Sequence, residues 1–148
     1  MSYQEKKNIV NIFSSLLITA IYARIVYQAH LAGTIDLKVD FSSWGKIFLI
    51  FIGVSILARI IIYIVFHILN AIATREEDIP AEDERDSLIK LKSTRNSHYT
   101  FIFSFVCGFV LLAFGLPVYG MFITFIVSGL IAELVDEGSQ LYFYRKGV

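Results

Sequence analysis

Four long apolar segments dominate this sequence and limit the folds that it can adopt. They run over about 9–29, 45–73, 99–116 and 118–141. A helix needs about 20 apolar residues to cross the hydrocarbon core of a bilayer, and each segment approaches or exceeds that length. A soluble domain of 148 residues, 56% of them hydrophobic, has no interior large enough to hide them. The sequence therefore predicts an all-α integral membrane four-helix bundle that forms a single domain over 1–148.

Turn residues between these segments set the expected order of the helices. Gly115 and Pro117 fall between the third and fourth segments, where they break the helix and allow only a tight reversal of the chain. A short loop, 30–43, joins the first two segments, and a longer polar stretch, 74–98, joins the second to the third. We therefore expect two antiparallel hairpins. Pro80 and the acidic residues after it also predict a helix that leads into the third span.

Lysine and arginine are distributed unequally between the two sides of the predicted spans. On one side lie Lys6, Lys7, Arg75, Arg85, Lys90, Lys92, Arg95, Arg145 and Lys146. On the other side lie Lys38 and Lys46. Because cytoplasmic segments carry the excess of positive charge, this bias predicts that both termini and the loop 74–98 are cytosolic. We expect the surrounding lipid bilayer to be a prokaryotic inner membrane.

Polar residues recur along one face of the second span. They are Ser55, Arg59, Tyr63, His67 and Asn70, at spacings of four, four, four and three residues. This spacing places them on one side of a helix that is otherwise mostly apolar. An ionisable side chain in hydrocarbon costs several kcal/mol unless it finds a partner or a hydrated cavity. Arg59, near the middle of the span, is therefore expected to turn toward such a partner.

The fourth span carries a face of small residues and a group of acidic ones. The small face consists of Gly120, Thr124, Ser128, Ala132 and Asp136, at intervals of four residues. Small residues at helical spacing permit the close approach of another helix. Beside this face, Glu133, Asp136 and Glu137 lie toward the inner end of the span. We expect Glu133 to form an ion pair with Arg59.

Two interpretations of these polar groups remain open. In the first, they hold the helices together through hydrogen bonds of modest net energy. In the second, they form a binding site or a path for a proton, an ion or a small polar solute, with Glu133 and His67 as the titratable members. Because four short helices seldom enclose a cavity alone, the second interpretation predicts a homo-oligomeric channel or transporter. The residues of that path are Arg59, Tyr63, His67, Asn70, Glu133, Asp136 and Glu137.

The charged stretch before the third span supports a different function. Its residues are Asp83, Glu84, Arg85, Asp86, Lys92 and Arg95. A charge run of this kind is often a solvated connector. It can also dock a cytosolic protein partner or anionic headgroups, which would make the protein a membrane interaction or signalling subunit. An enzyme that acts on a lipid or uses a cofactor is a third class.

The same stretch resembles part of a known group of proteins. Asp83-Glu84-Arg85-Asp86 is followed by Ile89, Lys92, Arg95 and Tyr99 and leads directly into a span. This pattern is similar to that of small uncharacterised prokaryotic membrane proteins, which place an Asp-Glu-Arg segment before a C-terminal helical hairpin. The resemblance implies a four-helix fold and a membrane location, and it supplies no chemistry.

The sequence lacks the motifs and charge patterns of several functional classes. Thirteen basic and thirteen acidic residues cancel, so the net charge gives no attraction for nucleic acid. The sequence contains no metalloprotease, phosphate-loop or serine-hydrolase motif. His67 and His98 both lie toward the inner face and could ligate a haem iron, although paired histidines in a bundle are more often hydrogen-bonded polar residues. The sequence therefore predicts no cofactor and no metal, with haem as the alternative.

Overall fold

The regular structure of the protein is helical wherever it is described. The computed structural model describes residues 2–38, 40–74 and 83–147. The helices in these ranges are α1 (Tyr3–Leu31), α2 (Phe41–Thr74), α3 (Glu84–Ala113) and α4 (Val118–Lys146). Each of them is long and apolar enough to cross a membrane. The prediction of an all-α chain with four helices is therefore confirmed.

α1 and α3 begin earlier than the predicted spans because the polar residues before each span continue the same helix. Ser2 caps α1, since its hydroxyl accepts a hydrogen bond from Glu5 N at 3.2 Å and Glu5 Oε2 accepts one from Ser2 N at 2.7 Å. Asp83 caps α3 in the same way and accepts from Asp86 N at 2.7 Å. The helix expected before the third span is thus part of α3, whereas Pro80 lies outside the described residues.

A tight turn separates α3 from α4, as predicted. Leu116 N donates to the carbonyl of Leu111 at 3.2 Å, and Gly115 N donates to that of Leu112 at 3.0 Å. This pair of hydrogen bonds ends a helix where the residue after its last turn adopts a left-handed conformation. Gly115 is that residue, with φ 81°. Pro117 then directly precedes α4. The turn allows only an antiparallel arrangement of the two helices.

Neighbouring helices in the bundle run antiparallel. α3 packs along α4, α4 along α1, and α1 along α2, so α1 and α4 are central and α2 and α3 lie at the two sides. Two hydrogen bonds show the relative direction of α1 and α4, because Asn11 contacts Glu137 and Ser15 contacts Glu133. The two predicted antiparallel hairpins are therefore both present, and they meet along α1 and α4.

Both ends of the chain lie at the same end of the bundle. Glu5 Oε1 in the first turn of α1 is 3.6 Å from Arg145 Nε in the last turn of α4. We call this end of the bundle the terminal end. We call the opposite end, where the α1–α2 and α3–α4 connections lie, the loop end. At the loop end Trp44 stacks on Phe122, with ring centroids 5.3 Å apart, and joins α2 to α4.

The bundle buries several small and polar residues and exposes most of its large apolar ones, with Trp44, Ile47 and Ile89 as buried exceptions. Ser93 and Ser128 are completely buried, and Asn8 and Ser15 nearly so. Leucine, isoleucine and phenylalanine side chains cover the outside, with an exposed fraction of 73% at Leu49. A surface of this kind promotes association in water. It is compatible with a membrane helical bundle, in which small residues pack the helices and large apolar ones face outward.

Candidate functional site

The predicted ion pair between α2 and α4 is confirmed, and α1 contributes a third residue to it. Arg59 Nη2 forms an ion pair with Glu133 Oε1. The Ser15 hydroxyl lies 2.5 Å from the same carboxylate oxygen and 2.9 Å from the carbonyl of Asn11. Arg59 Nη2 also donates to Ser15 Oγ at 3.3 Å. The three helices therefore meet at one cluster, which we call the Arg59 cluster (Ser15, Arg59 and Glu133).

Arg59 uses only part of its hydrogen-bonding capacity. A guanidinium carries five N–H groups, and both contacts of Arg59 run through Nη2. Its side chain is 45% exposed, compared with 24% for Glu133. Nε and Nη1 have no partner in the part of the chain that the structure describes. These N–H groups are available to a ligand, to water or to another protomer.

Glu137 is held by two asparagines of α1. Asn11 Nδ2 donates to Glu137 Oε1 at 2.8 Å. With its amide oriented to satisfy its neighbours, Asn8 donates to Glu137 Oε2 at 3.1 Å and to the carbonyl of Gln4 at 3.2 Å. Glu137 was predicted as a path residue, but its partners on α1 were not. Both oxygens of this carboxylate are therefore occupied by structural hydrogen bonds.

The part of the α2 polar stripe nearer the terminal end faces α1 rather than the acidic residues of α4. His67 Nε2 lies 2.9 Å from the hydroxyl of Tyr3. The ring of Tyr63 lies 5.1 Å from that of His67, and Lys7 Nζ lies 5.1 Å from the Tyr63 ring centroid. Asn70 is half-buried, and its carbonyl accepts a hydrogen bond from Thr74. Tyr63 and His67 thus form a group with α1 that is separate from Glu133.

α1 carries a polar stripe that the sequence analysis did not single out. Its members are Asn8, Asn11, Ser15, Thr19 and Tyr22, at spacings of three, four, four and three residues. The signal has the same helical period as the stripe on α2. None of its members is charged, whereas the cost of burial in hydrocarbon falls chiefly on ionisable groups such as Arg59.

A cleft between α1, α2 and α4 opens beside the Arg59 cluster. Its volume is about 480 Å³, and Ser55, Arg59 and Glu133 are among the residues that line it. A second cavity of about 350 Å³ lies next to it on the side of the loop end. The two share Thr19, Phe51 and Ile126 as lining residues. We call the first the central cleft and the second the outer cavity.

A further cleft lies between α3 and α4, and it also reaches Glu133. We call it the α3–α4 cleft; its volume is about 410 Å³, and His98, Glu133 and Asp136 line it together with Thr94 and Ser97. Asp136 Oδ1 is buried and has no hydrogen-bond partner in the described part of the chain. A buried carboxylate oxygen without a donor requires water, a cation or a proton. Glu133 therefore borders two clefts, which different helices form with α4.

Arg85 and Asp86, both predicted to dock a partner, form hydrogen bonds with α4. Arg85 Nη2 donates to the carbonyl of Tyr144 at 3.3 Å. The hydroxyl of Tyr144 donates to Asp86 Oδ1 at 2.8 Å. These contacts fix the first turns of α3 against the last turns of α4. Arg85 and Asp86 therefore stabilise the terminal end of the hairpin within this chain.

The remaining docking residues have mixed environments. Asp83 caps α3, and Lys92 Nζ lies 5.8 Å from the centroid of the Phe143 ring. Glu84 and Arg95 are exposed on the surface of α3. Docking of a cytosolic partner by this surface stays a prediction.

The two histidines considered as haem ligands line different parts of the bundle. His67 contacts Tyr3 of α1, whereas His98 lines the α3–α4 cleft. Because α2 and α3 lie on opposite sides of the central helices, the two imidazoles belong to separate sites. Among the described residues, no three His, Cys, Asp or Glu side chains are grouped so that they could hold a metal ion. Haem binding by this pair stays an untested alternative.

Comparison of the chain with models of protein families, with curated proteins and with solved structures gives no match. The resemblance to small prokaryotic membrane proteins therefore stays a prediction. The features of the chain that bear on function are the Arg59 cluster and the clefts beside it.

Proposed function

We propose that this chain is an integral inner-membrane protein that transports protons, or another small cation, through Glu133. The observation that carries this proposal is the position of Glu133 between two clefts. A carboxylate can take up a proton from one cleft and release it into the other. The terminal end, which holds the basic residues, would face the cytosol.

The terminal side of this path runs through the α3–α4 cleft. Asp136 Oδ1 lacks a hydrogen-bond donor, and His98 lines the same cleft. Both side chains can accept a proton and pass it on through water, because a cleft lined by carboxylates and hydroxyls has enough polar groups to hold water. Asp136 is one helical turn from Glu133, so a proton has only a short distance to travel.

The other side of the path runs through the central cleft. Ser55 and Arg59 lie beside Glu133 there, and residues farther toward the loop end are mainly apolar. An apolar exit hinders the passage of ions unless the helices move. The geometry therefore favours a carrier, in which a conformational change opens the outer side, over a permanently open channel.

The ion pair itself supplies a reason for such a change. When Glu133 is ionised, it holds Arg59 and thereby α2 against α4. When a proton neutralises Glu133, Arg59 loses its counter-charge in apolar surroundings, where an unpaired cation is costly. The backbones of α2 and α4 approach each other little, so a shift of α2 relative to α4 would disrupt little backbone packing between them. Protonation of one residue can thus change access to the cleft.

A second copy of the chain would complete the outside of this site. Arg59 is 45% exposed, which is high for a guanidinium in the middle of an apolar helix. Self-association through the α2 side would cover it. We therefore include a homo-oligomer in the proposal, with α2 at the contact between protomers.

Proton flux into liposomes tests the proposal. Purified protein is reconstituted into liposomes that contain a pH-sensitive dye, and a potassium gradient with valinomycin imposes the potential. We expect flux above that of empty liposomes for the unmodified chain. Glu133→Gln keeps the size of the side chain and one acceptor oxygen but cannot ionise, so its flux should fall to the background of empty liposomes.

A matched charge removal serves as the control. Arg24→Leu removes a basic residue from α1 that lines neither cleft at Glu133, and its flux should equal that of the unmodified chain. Circular dichroism and gel filtration show whether each variant is folded. Unchanged flux in a folded Glu133→Gln variant would mean that the ion pair only holds the helices together, and the transport proposal would be rejected.

A further inference from the structure

The central cleft and the outer cavity lie next to each other between α1, α2 and α4. Their volumes, about 480 and about 350 Å³, lie within the range of about 300–1,000 Å³ that is typical of ligand pockets. Thr19, Phe51 and Ile126 line both of them and mark their junction. A proton or a small ion occupies only a small part of this space. Its length and shape therefore suit a larger molecule.

The outer part of the space is mainly apolar. Three aromatic residues with polar atoms line it, Tyr22, Tyr27 and Trp44, and the polar atoms of Tyr22 and Trp44 are already used. Tyr22 donates its hydroxyl to the carbonyl of Ile47 at 2.8 Å, and Trp44 donates Nε1 to that of Leu37 at 2.9 Å. What these residues present to the cavity is ring surface, beside aliphatic side chains of α1 and α4. An occupant must therefore carry an apolar tail.

The inner end of the space is polar and offers hydrogen bonds. Arg59 has N–H groups without a partner, and the buried hydroxyl of Ser55 also has none in the described part of the chain. Both can donate to an acceptor placed in the central cleft. Because Glu133 already neutralises Arg59, an additional anion would be repelled by that carboxylate. The site therefore favours an uncharged oxygen acceptor.

The backbones of α2 and α4 are separated beside this space. α2 and α4 come together through side chains at Trp44 and at the Arg59 cluster, while their backbones stay apart between these points. A molecule dissolved in the apolar part of a bilayer could enter between the two helices without crossing the polar headgroups.

We propose that this cavity binds a lipid-soluble carbonyl compound with a long apolar tail, of the quinone class. The carbonyl oxygen accepts hydrogen bonds from Arg59 and Ser55, and the tail lies along the outer cavity as far as Trp44. A phospholipid chain that entered from the loop end would instead place its methyl end against Arg59 and leave those donors unpaired. This binding goes beyond ion transport and requires only the cavity and the free N–H groups of Arg59.

Trp44 is a built-in reporter of this site. It is the single tryptophan of the chain, it is only 3% exposed, and it lines the outer cavity. Purified full-length protein in detergent is titrated with a benzoquinone whose octadecyl tail carries bromine near its end, and tryptophan fluorescence is followed, because bromine quenches an indole ring that it contacts. We expect quenching that saturates with quinone concentration.

Two variants test the two ends of the cavity. Arg59→Met combined with Glu133→Gln removes both charges together, and it should raise the half-saturating concentration roughly tenfold or more, the usual effect of losing a hydrogen bond to a charged group. Thr19→Phe fills the junction and should abolish saturable quenching without changing either charge. Arg24→Leu should leave the titration unchanged.

The alternatives give different results. Quenching that rises linearly and equally in all variants would mean that the quinone only dissolves in the detergent, and it would overturn the proposal. Saturable quenching by phospholipid brominated in its acyl chain, with no effect of the Arg59 double variant, would show a lipid chain in the cavity and would also overturn it. If the double variant does not fold, Thr19→Phe decides alone. Proton flux is measured separately, so either proposal can fail without the other.

Discussion

Ionisable side chains in this protein are paired where helices meet. Arg59 and Glu133 lie on helices whose backbones approach each other little, so their attraction supplies much of the contact between α2 and α4 in the middle of the bundle. Glu137 is satisfied by two asparagine amides, and Asp136 keeps one oxygen without a donor. Three neighbouring carboxylates thus have three different environments. This difference is why Glu133 and Asp136, and not Glu137, are placed in the proposed path.

Asp40 gives a prediction for the loop end. It stands directly before α2, and hydrogen bonds from the side chains of Ser43 and Ser42 hold the pKa of its carboxyl group below the ordinary value. When folding lowers the pKa of a carboxyl group, the ionised group stabilises the folded state at pH values above its unfolded-state pKa. This stabilisation is lost as the pH falls through the folded-state pKa. Protection of the first turn of α2 against hydrogen exchange, corrected for intrinsic rates, should therefore decrease in acid below about pH 4.

Asp40→Ala supplies the comparison for that measurement. Without the carboxylate, the first turn of α2 should be weakly protected at neutral pH, and its protection should no longer depend on pH between about 3 and 6. An unchanged pH dependence in the variant would assign the effect to another group.

The helices pack through small residues in one pair and through long side chains in another. α3 and α4 are in close contact along their length, and Ser93 and Ser128 are fully buried in that pair. α2 instead reaches α4 through the rings at Trp44 and the ion pair of Arg59. The close α3–α4 hairpin is therefore expected to be the stable part of the bundle, and α2 the part that can move.

Gly108 tests the close packing of α3 on α4. A Cβ atom built at this position would lie 2.8 Å from a ring carbon of Phe125 and 3.6 Å from Cγ2 of Thr124. Gly108→Leu should therefore force the hairpin apart and destabilise it by about 1–3 kcal/mol, the usual effect of overpacking. Thermal or denaturant unfolding in detergent measures this change.

Gly53 of α2 is the matched control. A Cβ atom at this glycine meets no atom within 4 Å. Gly53→Leu should therefore change stability by no more than about 0.5 kcal/mol. Equal effects of the two substitutions would contradict the packing described for α3 and α4.

The arrangement of the whole chain places both termini at one end of the bundle. Antiparallel contacts between successive helices and the approach of Glu5 to Arg145 establish this shared end. The excess of basic residues lies at the same end, which supports the proposal that it faces the cytosol. The large apolar side chains on the outside then face lipid rather than water.

Cysteine labelling tests this orientation. Single cysteines are introduced by Lys6→Cys, Thr34→Cys and Lys146→Cys in a chain that also carries Cys107→Ser. A membrane-impermeant maleimide applied to spheroplasts should label the Thr34 variant directly, and the Lys6 and Lys146 variants only after permeabilisation. Labelling of the Lys6 and Lys146 variants from opposite sides would contradict the shared end. Direct labelling of both, but not of the Thr34 variant, would reverse the proposed orientation.

Local patterns in the sequence were sufficient to predict the helices of this fold and the turn between α3 and α4. The lengths of the apolar segments predict four helices, and Gly115 with Pro117 predicts the tight reversal, because both features depend on residues close together in the chain. The pairing of Arg59 with Glu133 was also predictable, since a charge in an apolar helix needs an opposite charge at a similar depth.

Only the packing of the helices decided which of the predicted residues contact one another at the site. The spacing on α2 places His67 and Arg59 on one face, yet His67 meets Tyr3 of α1 and Arg59 reaches across to α4. Helical periodicity fixes which residues share a face, whereas the rotation and spacing of neighbouring helices fix what that face meets. For the same reason the position of Glu133 between two clefts could not be predicted from the sequence. The clefts are gaps between helices, and such gaps arise when large and small side chains from distant segments pack together.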